Sequence, residues 1–585
     1  MKSTAVPPSA PGAPLTDPAP EAPAAHPVPP TGPGTATAGV ASLAAAALLA
    51  ACGGGGGTVT EPPVARPDPP TATDATRFLT QASFGLRSLD EVAALQTQGF
   101  DAWLARQFGL PPASHVAYLD AWKLRRNRRT AADEASYEAI WQQWLQGEDQ
   151  LRGRMSWALL QIFVISNIAP DIRPYAMSSY LDMLNSHAFG NYRDLLQAVA
   201  LHPAMGYYLN MLESEKENTA AGTHPNENFA REVLQLFSIG LVKLNPDGSP
   251  MLQDGKTVPT YDEAVVKGFA AAFTGWSYGA EDNTDPRRFH EHNDNDDANW
   301  VTPMKAWPSY HDSSAKTLLD GRVLPAGQTP EQDLAGALDC IFAHANVGPF
   351  IGRQLIQRLV TSNPSPAYIG RVAAAFANNG QGVRGDLKAV LRAVLLDPDA
   401  RTATPEANPN YGKQREPVVR FATFLRGLGA SSTNGENDIH YLDSADNGLG
   451  QSPLLAPSVF NFYSPNFRPA GPLAAAGLVA PEFQITSETT VVGSMNFFAN
   501  LFNSGGYGAG ASRLRLNYEP LSALVDTPDA LVEQLNGLFF NRAMRPATRS
   551  RLTTLLAGLA DRRPGDRVAA VLTLVAMAPD FVIQR

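Results

Sequence analysis

Two cysteines, Cys52 and Cys340, are all that 585 residues contain, so no disulfide framework holds this chain. Basic charge is short as well: 46 Lys and Arg stand against 56 Asp and Glu, a net charge of -10. A nucleic-acid binder needs a strongly basic face. The one basic cluster, "KLRRNRR" at 123–129, is followed by Asp133, Glu134 and Glu138, the pattern of a charge-balanced helix surface. No nucleic acid is therefore expected among the partners. Runs of Val, Ile and Thr alternating with polar residues are scarce, which excludes a substantial sheet. No fixed-period repeat recurs, which argues against a solenoid. What remains, at 44% hydrophobic and 17% charged residues, is the composition of a globular protein with a large core.

The first seventy residues stand apart. Residues 1–34 are dominated by Pro, Ala, Gly and Thr, a composition that cannot bury a core. The apolar run "AGVASLAAAALLAAC" is too short and alanine-rich for a membrane span but has the size of a signal-peptide core. Its end, Leu49-Ala50-Ala51-Cys52, resembles the lipobox of bacterial lipoproteins, in which the cysteine takes the lipid. Five glycines and "TVTEPPVARPDPP" follow as a flexible, then stiff, tether. We read 1–51 as a disordered leader with a signal-like segment, 52–73 as lipidation cysteine and tether, and 74–585 as a single large α-helical domain. Gly54, where a retention signal would carry Asp, points away from the inner membrane. The expected place is the cell envelope, as an outer-membrane lipoprotein or in the periplasm, with a lipid anchor as the only membrane contact. Cys340, in the apolar "ALDCIFAHA", reads as a small buried hydrophobe.

From residue 74 the apolar period is helical almost throughout, in segments such as "YRDLLQAVAL", "RQLIQRLV" and "EPVVRFATFLRGL". Asp74 is expected to cap the first helix, and Ser88 with Glu91 to form a capping box. The fold class predicted is mainly α: one large multi-helix domain with long loops and little or no sheet. Two stretches break the pattern: 277–313, acidic and histidine-bearing, and 430–469, rich in Gly, Ser, Asn and Pro and ending in "APSVFNFYSPNF". Long loops inside a domain are usually functional or disordered. Core anchoring is the commoner role for the aromatic residues of that last motif, a ligand platform the rarer one.

The chemistry concentrates in "HPNENFARE", residues 224–232. Asn226 can cap a helix, and Glu227 suits the positive end of its dipole. Arg231, four residues on, makes an ordinary surface ion pair with Glu227. Glu232 lies at the edge of the apolar stripe, so its carboxylate is desolvated and must find a partner, bind a cation or rise in pKa. A second cluster, "SYHDSSAK", brings His311, Asp312 and Lys316, and the helical His187 and His202 could add to a shell of imidazoles and carboxylates. Such a shell would hold a divalent metal through Glu227, Glu232, His311, Asp312, His187 and His202. Glu232, Arg231 and Lys316 would then be the catalytic set of a metal-dependent hydrolase. The spacing matches no tight zinc signature, and capping, one ion pair and neutral core histidines account for the same residues without any reaction. "HEHNDNDDAN" lacks the glycine and distal glutamate of an EF-hand loop.

The stretches "ATRFLTQASFG", "RMSWALLQIFVIS", "PNENFAREVLQLFSIGL", "YHDSSAKTLLDG", "RQLIQRLV" and "APSVFNFYSPNF" resemble, in order, the exported bacterial proteins of domain-of-unknown-function family 1800. The resemblance covers residues 74–585 and rests most on the Pro-Asn-Glu-Asn-x-Ala-Arg-Glu core. It implies a helical, secreted or surface-attached protein without a settled reaction. It further implies a neighbour, since such genes often lie beside one for an exported protein of domain-of-unknown-function family 1501, similar to alkaline-phosphatase-type folds. A partner or assembly factor for another exported protein is thus the leading expectation, and the metal-dependent hydrolase the alternative. One departure is Gln235, where relatives commonly carry a second glutamate.

Overall fold

Helices form where the apolar period places them. The computed structural model describes residues 69–585 apart from 170–171, 221, 294, 402–407 and 409. The leader, Cys52 and residues 52–68 of the tether lie outside the described residues. Within them are 24 α-helices and five two-stranded sheets whose strands are two residues long, so the chain is mainly α. No single described helix is long and apolar enough to cross a membrane.

Local capping is shifted from expectation by one to three residues. Thr71, not Asp74, caps the first helix, Ala72–Ala82, and accepts from the Asp74 backbone N–H. At Ser88 the expected reciprocal box is replaced by two local bonds. Ser88 accepts from the Asp90 N–H, and the Glu91 carboxylate accepts from the Arg87 N–H. Both arrangements satisfy N–H groups that a helix start leaves free.

The helix Val347–Leu359 runs through the core. It packs on Pro366–Ala377 and on Gln150–Leu160. Val347, Ile351, Leu355, Ile356 and Leu359 are at most 1% exposed, and each contributes about 1.5–3 kcal/mol of apolar burial. Just before this helix, buried Asn346 donates to the carbonyls of Ile239 and Val242 at 2.8 Å each and accepts from the Leu244 N–H. One side chain thereby fixes the backbone that succeeds the "FARE" helix. Gly240, inside that segment, has φ +70, and a Cβ there would lie 2.8 Å from the Phe350 ring. Glycine is required twice over, by its conformation and by space.

The long stretch 430–469 carries no helix or strand of its own, yet it is tied to the core. Buried Glu416, preceding the helix Pro417–Gly427, accepts from Trp157 Nε1 at 3.1 Å and from Gln161 Nε2 and Gln451 Nε2 at 2.8 Å each. Gln161 Oε1 in turn accepts from the Tyr463 hydroxyl, and the Leu454 carbonyl accepts from the Asn167 N–H at 2.7 Å. Leu454 holds a left-handed φ of +61, unusual for a bulky side chain. Phe462 and Tyr463 are buried, as core anchoring requires, whereas Phe460 remains 55% exposed. Glu416→Ala strands three donors, each at about 1–3 kcal/mol. The variant should lose at least about 3 kcal/mol in urea unfolding, and a loss below about 1 kcal/mol would show that the loop is anchored elsewhere.

Candidate functional site

The "HPNENFARE" stretch begins with the Asn226 side chain accepting from the Asn228 N–H, as a cap. The helix proper runs Asn228–Gln235. Glu227 and Arg231 form the expected surface pair at 3.0 Å, and Arg231 reaches Glu263 from the same guanidinium at 3.1 Å. Glu232 is buried, at 7% exposure, and its Oε2 has no hydrogen-bond partner. Burial pushes its carboxyl up to about 6 against the pull of the Arg231 charge. The charge of Glu232 adds to the burial that lifts the Tyr261 hydroxyl to about 12, and that hydroxyl also lacks a partner.

The structure does not gather the other candidates around Glu232 into a metal-holding group. His311 and Lys316 close on a residue the sequence did not single out, the fully buried Asp333 of the helix Pro330–Ala343, while the Asp312 carboxylate accepts from the Ser314 N–H. His311 Nε2 lies 2.9 Å from Asp333 Oδ2, and its Nδ1 lies 2.9 Å from the Thr274 carbonyl. Both ring nitrogens are thus taken up by oxygen atoms of the fold itself. Lys316 pairs with the same Asp333 oxygen and donates to the Asp312 and Ser314 carbonyls. This is a lock for the 311–317 turn. His187 and His202 do meet, with Asp194, on a separate cavity of about 390 Å³. Burial holds both imidazoles neutral, His202 depressed to about 3 and His187 lowered despite Asp194. His202 Nδ1 is occupied as a helix cap for the Ala204 N–H.

Among the described residues one His and carboxylate group has metal-like spacing, and it is a different one: Glu138, Asp438 and His440. His440 Nε2 stands 3.2 Å from Asp438 and 3.6 Å from Glu138, near the edge of roughly 3.3–3.5 Å that tetrahedral zinc bonds would set. The same Glu138 already has Arg126 at 3.7 Å and accepts from the Tyr118 hydroxyl at 2.9 Å. Arg125 and Arg126 both pair with Glu436 alongside. An ion-pair network fills the place.

A roomy opening lies beyond the C-terminal end of the Glu232 helix, a cavity of about 540 Å³. Three signature stretches of the chain build it. From "LQLFSIGL" come Gln235, Leu236 and the turn that Asn346 fixes; from "RQLIQRLV" come Arg353, Gln354, Gln357 and Arg358; from "SVFNFYSPNF" come Phe460, Ser464 and Pro465. Gln161 completes the polar wall. No carboxylate, imidazole, thiol or amine is among its lining residues; its only charges are guanidinium groups. Sequence reasoning missed these four polar residues because "RQLIQRLV" looked like an ordinary buried helix. A signal was present: 353 with 357, and 354 with 358, are four apart and draw one polar stripe.

Comparison with known proteins places the chain. A family described as "Protein of unknown function (DUF1800)" matches residues 77–583. The chain belongs to that family. No curated protein and no solved structure matches it. Family membership thus covers every stretch that builds the 540 Å³ cavity without assigning it a role.

Glu232 has a pH signature that tests its placement. Its folded-state value of about 6 lies above the ordinary 4.5. The folded state therefore holds the proton more tightly, and stability falls as pH rises from 4.5 through 6. The full cost, about 2 kcal/mol, is present above that window. Glu232→Gln should melt higher than the parent at pH 8, and the gap should close below pH 4.5. A gap constant from pH 4 to pH 8 would contradict a buried, unpartnered carboxylate.

Proposed function

We propose that this family member is an exported binding protein of the cell envelope, a partner or assembly factor for another exported protein, that grips its ligand in the 540 Å³ cavity. The observation that carries the reading is the composition of that cavity. It is built from three of the chain's signature stretches and lined by guanidinium groups, amides and apolar side chains. Acid–base catalysis needs a group that titrates within reach of the substrate, whereas recognition needs shape, donors and apolar area. Leu241 and Phe460, 56% and 55% exposed, stand at the cavity as anchors of the kind that partners bury. The partner to test first is an exported protein of domain-of-unknown-function family 1501, on the gene neighbourhood that the resemblance implies.

Titration calorimetry between the purified chain and the purified family 1501 protein of the same genome should show one-to-one binding, at about 10 µM or tighter. Leu241→Ala with Phe460→Ala should weaken it at least about tenfold. Absence of binding, or binding that ignores both substitutions, would reject the reading. The hydrolase alternative would have to run through Glu138, Asp438 and His440 in place of His311 and Asp312. One equivalent of zinc per chain, lost in Asp438→Ala and His440→Ala, would favour it.

Attachment through Cys52 belongs to the same proposal and rests on the Leu-Ala-Ala-Cys sequence that precedes the tether. Cells fed a labelled fatty acid should label the parent chain and not Cys52→Ser. Equal labelling of the two would remove the anchor.

A further inference from the structure

The arginines of this protein's interior are nearly all spoken for. Arg426 donates to the carbonyls of Gly85, Trp144 and Leu145. Arg152 serves Asn185 and Leu110, and Arg358 serves Gln354 and Gln161. Arg420 and Arg353 depart from that pattern: Arg420 lies over the Phe498 ring, and of the two only Arg353 reaches the cavity. Arg353 is half-buried at the cavity wall, and its side chain makes no hydrogen bond or ion pair with any described residue. Burial and the neighbouring Arg468 both pull its pKa down, and no carboxylate bears on it. A half-buried cation with an exposed like charge nearby and no anion is electrostatically unfavourable, in a chain of net charge -10.

A second, independent observation lies one residue on. Gln354 lines the same cavity, is only 6% exposed, and its Nε2 donor has no partner. The Nε2 of nearby Gln357, by contrast, donates to the Ser362 and Pro465 carbonyls, although its own Oε1 has no partner. A buried donor without a partner calls for an explanation, and a polar ligand at the cavity supplies one for Gln354. Facing these donors are the apolar side chains of Leu236, Ile239, Phe350 and Phe460. The volume, about 540 Å³, is that of a ligand pocket and exceeds what a lone inorganic ion would fill.

We propose that the cavity recognises a carboxylate carried on an apolar body, with Arg353 and Gln354 taking the anionic oxygens and the aliphatic and aromatic wall taking the rest. Guanidinium is suited to this because its planar fork matches a carboxylate with two parallel bonds. Two sources present that chemistry, a free amphiphilic acid and the C-terminal end of a polypeptide. This inference rests on the reading of the cavity as a binding site and specifies what is bound there.

The test uses the purified full chain and four probes: dodecanoate, dodecanol, the peptide Ala-Ala-Leu-Leu-Phe with a free C-terminus, and its C-terminal amide. Calorimetry should show saturable one-to-one binding of dodecanoate or of the free peptide. The acid that binds identifies the source. The uncharged counterpart should bind at least about tenfold more weakly, as should Arg353→Gln and Gln354→Leu toward the acid. The Arg353 side chain makes no hydrogen bond or ion pair, and Gln keeps much of its stem, so Arg353→Gln should melt with the parent. If neither acid binds, or if each acid and its neutral counterpart bind alike, the proposal is overturned on the parent chain alone. Undiminished acid binding by Arg353→Gln overturns it too. The wider partner reading fails separately: an Arg353→Gln chain that still binds the family 1501 protein would spare that reading while sinking the carboxylate.

Discussion

A single buried carboxylate, Glu416, organises the middle of this protein. It sits at 2% exposure before the helix Pro417–Gly427 and collects donors from Trp157, Gln161 and Gln451. A carboxyl group in such a place is tolerable only when its oxygens find partners. Satisfying it therefore pulls together the end of the helix Gln150–Leu160 and the stretch beginning near Gly450. The second amide atom of Gln161 passes the order outward to Tyr463, and its backbone carbonyl takes a bond from Arg358. Gln161 and Arg358 are walls of the large cavity. The site thus inherits its shape from an interaction that never touches a ligand.

Around that centre, arginine substitutes for the backbone partners a nearly sheetless chain lacks. Helix ends leave carbonyls unpaired, and in a many-helix body some of those ends are buried. Arg426 covers the end of Asp133–Gln146 from a helix nearly three hundred residues later, and burial pulls its pKa down to about 10 without discharging it. Lys413 does similar work, donating to the Arg358 carbonyl while pairing with buried Glu482 at 2.8 Å. Against these satisfied cations, Arg353 differs in lining the cavity without a hydrogen bond or ion pair from its side chain.

The "HPNENFARE" stretch was legible to the extent that its physics is local. The Asn226 cap and the Glu227–Arg231 pair involve residues two and four apart, and both are present. Glu232 could be singled out because helical geometry alone puts it at the border of the apolar stripe, and it is buried there with one oxygen unpartnered. His311 was legible as a candidate ligand beside Asp312 but not as a neighbour of Asp333, twenty-two residues on in the helix Pro330–Ala343. Caps slipped by a residue or more, from Asp74 to Thr71 and around Ser88, because Ser, Thr and Asp compete for the same N–H groups with small energy differences. The cavity was hidden for a different reason. The polar stripe on Val347–Leu359 could be drawn from spacing, yet nothing local says that it faces a space rather than solvent.

By itself the sequence determined the helical class, the family, and the odd carboxylate of its signature helix, because apolar period and capping act over a turn or two of chain. The tertiary structure alone decided which charges are satisfied. Glu416 meets its donors across as many as 259 residues, and the cavity is assembled from stretches that begin more than two hundred residues apart. A buried charge must find its partner wherever the packing brings one, and packing is a property of the whole chain.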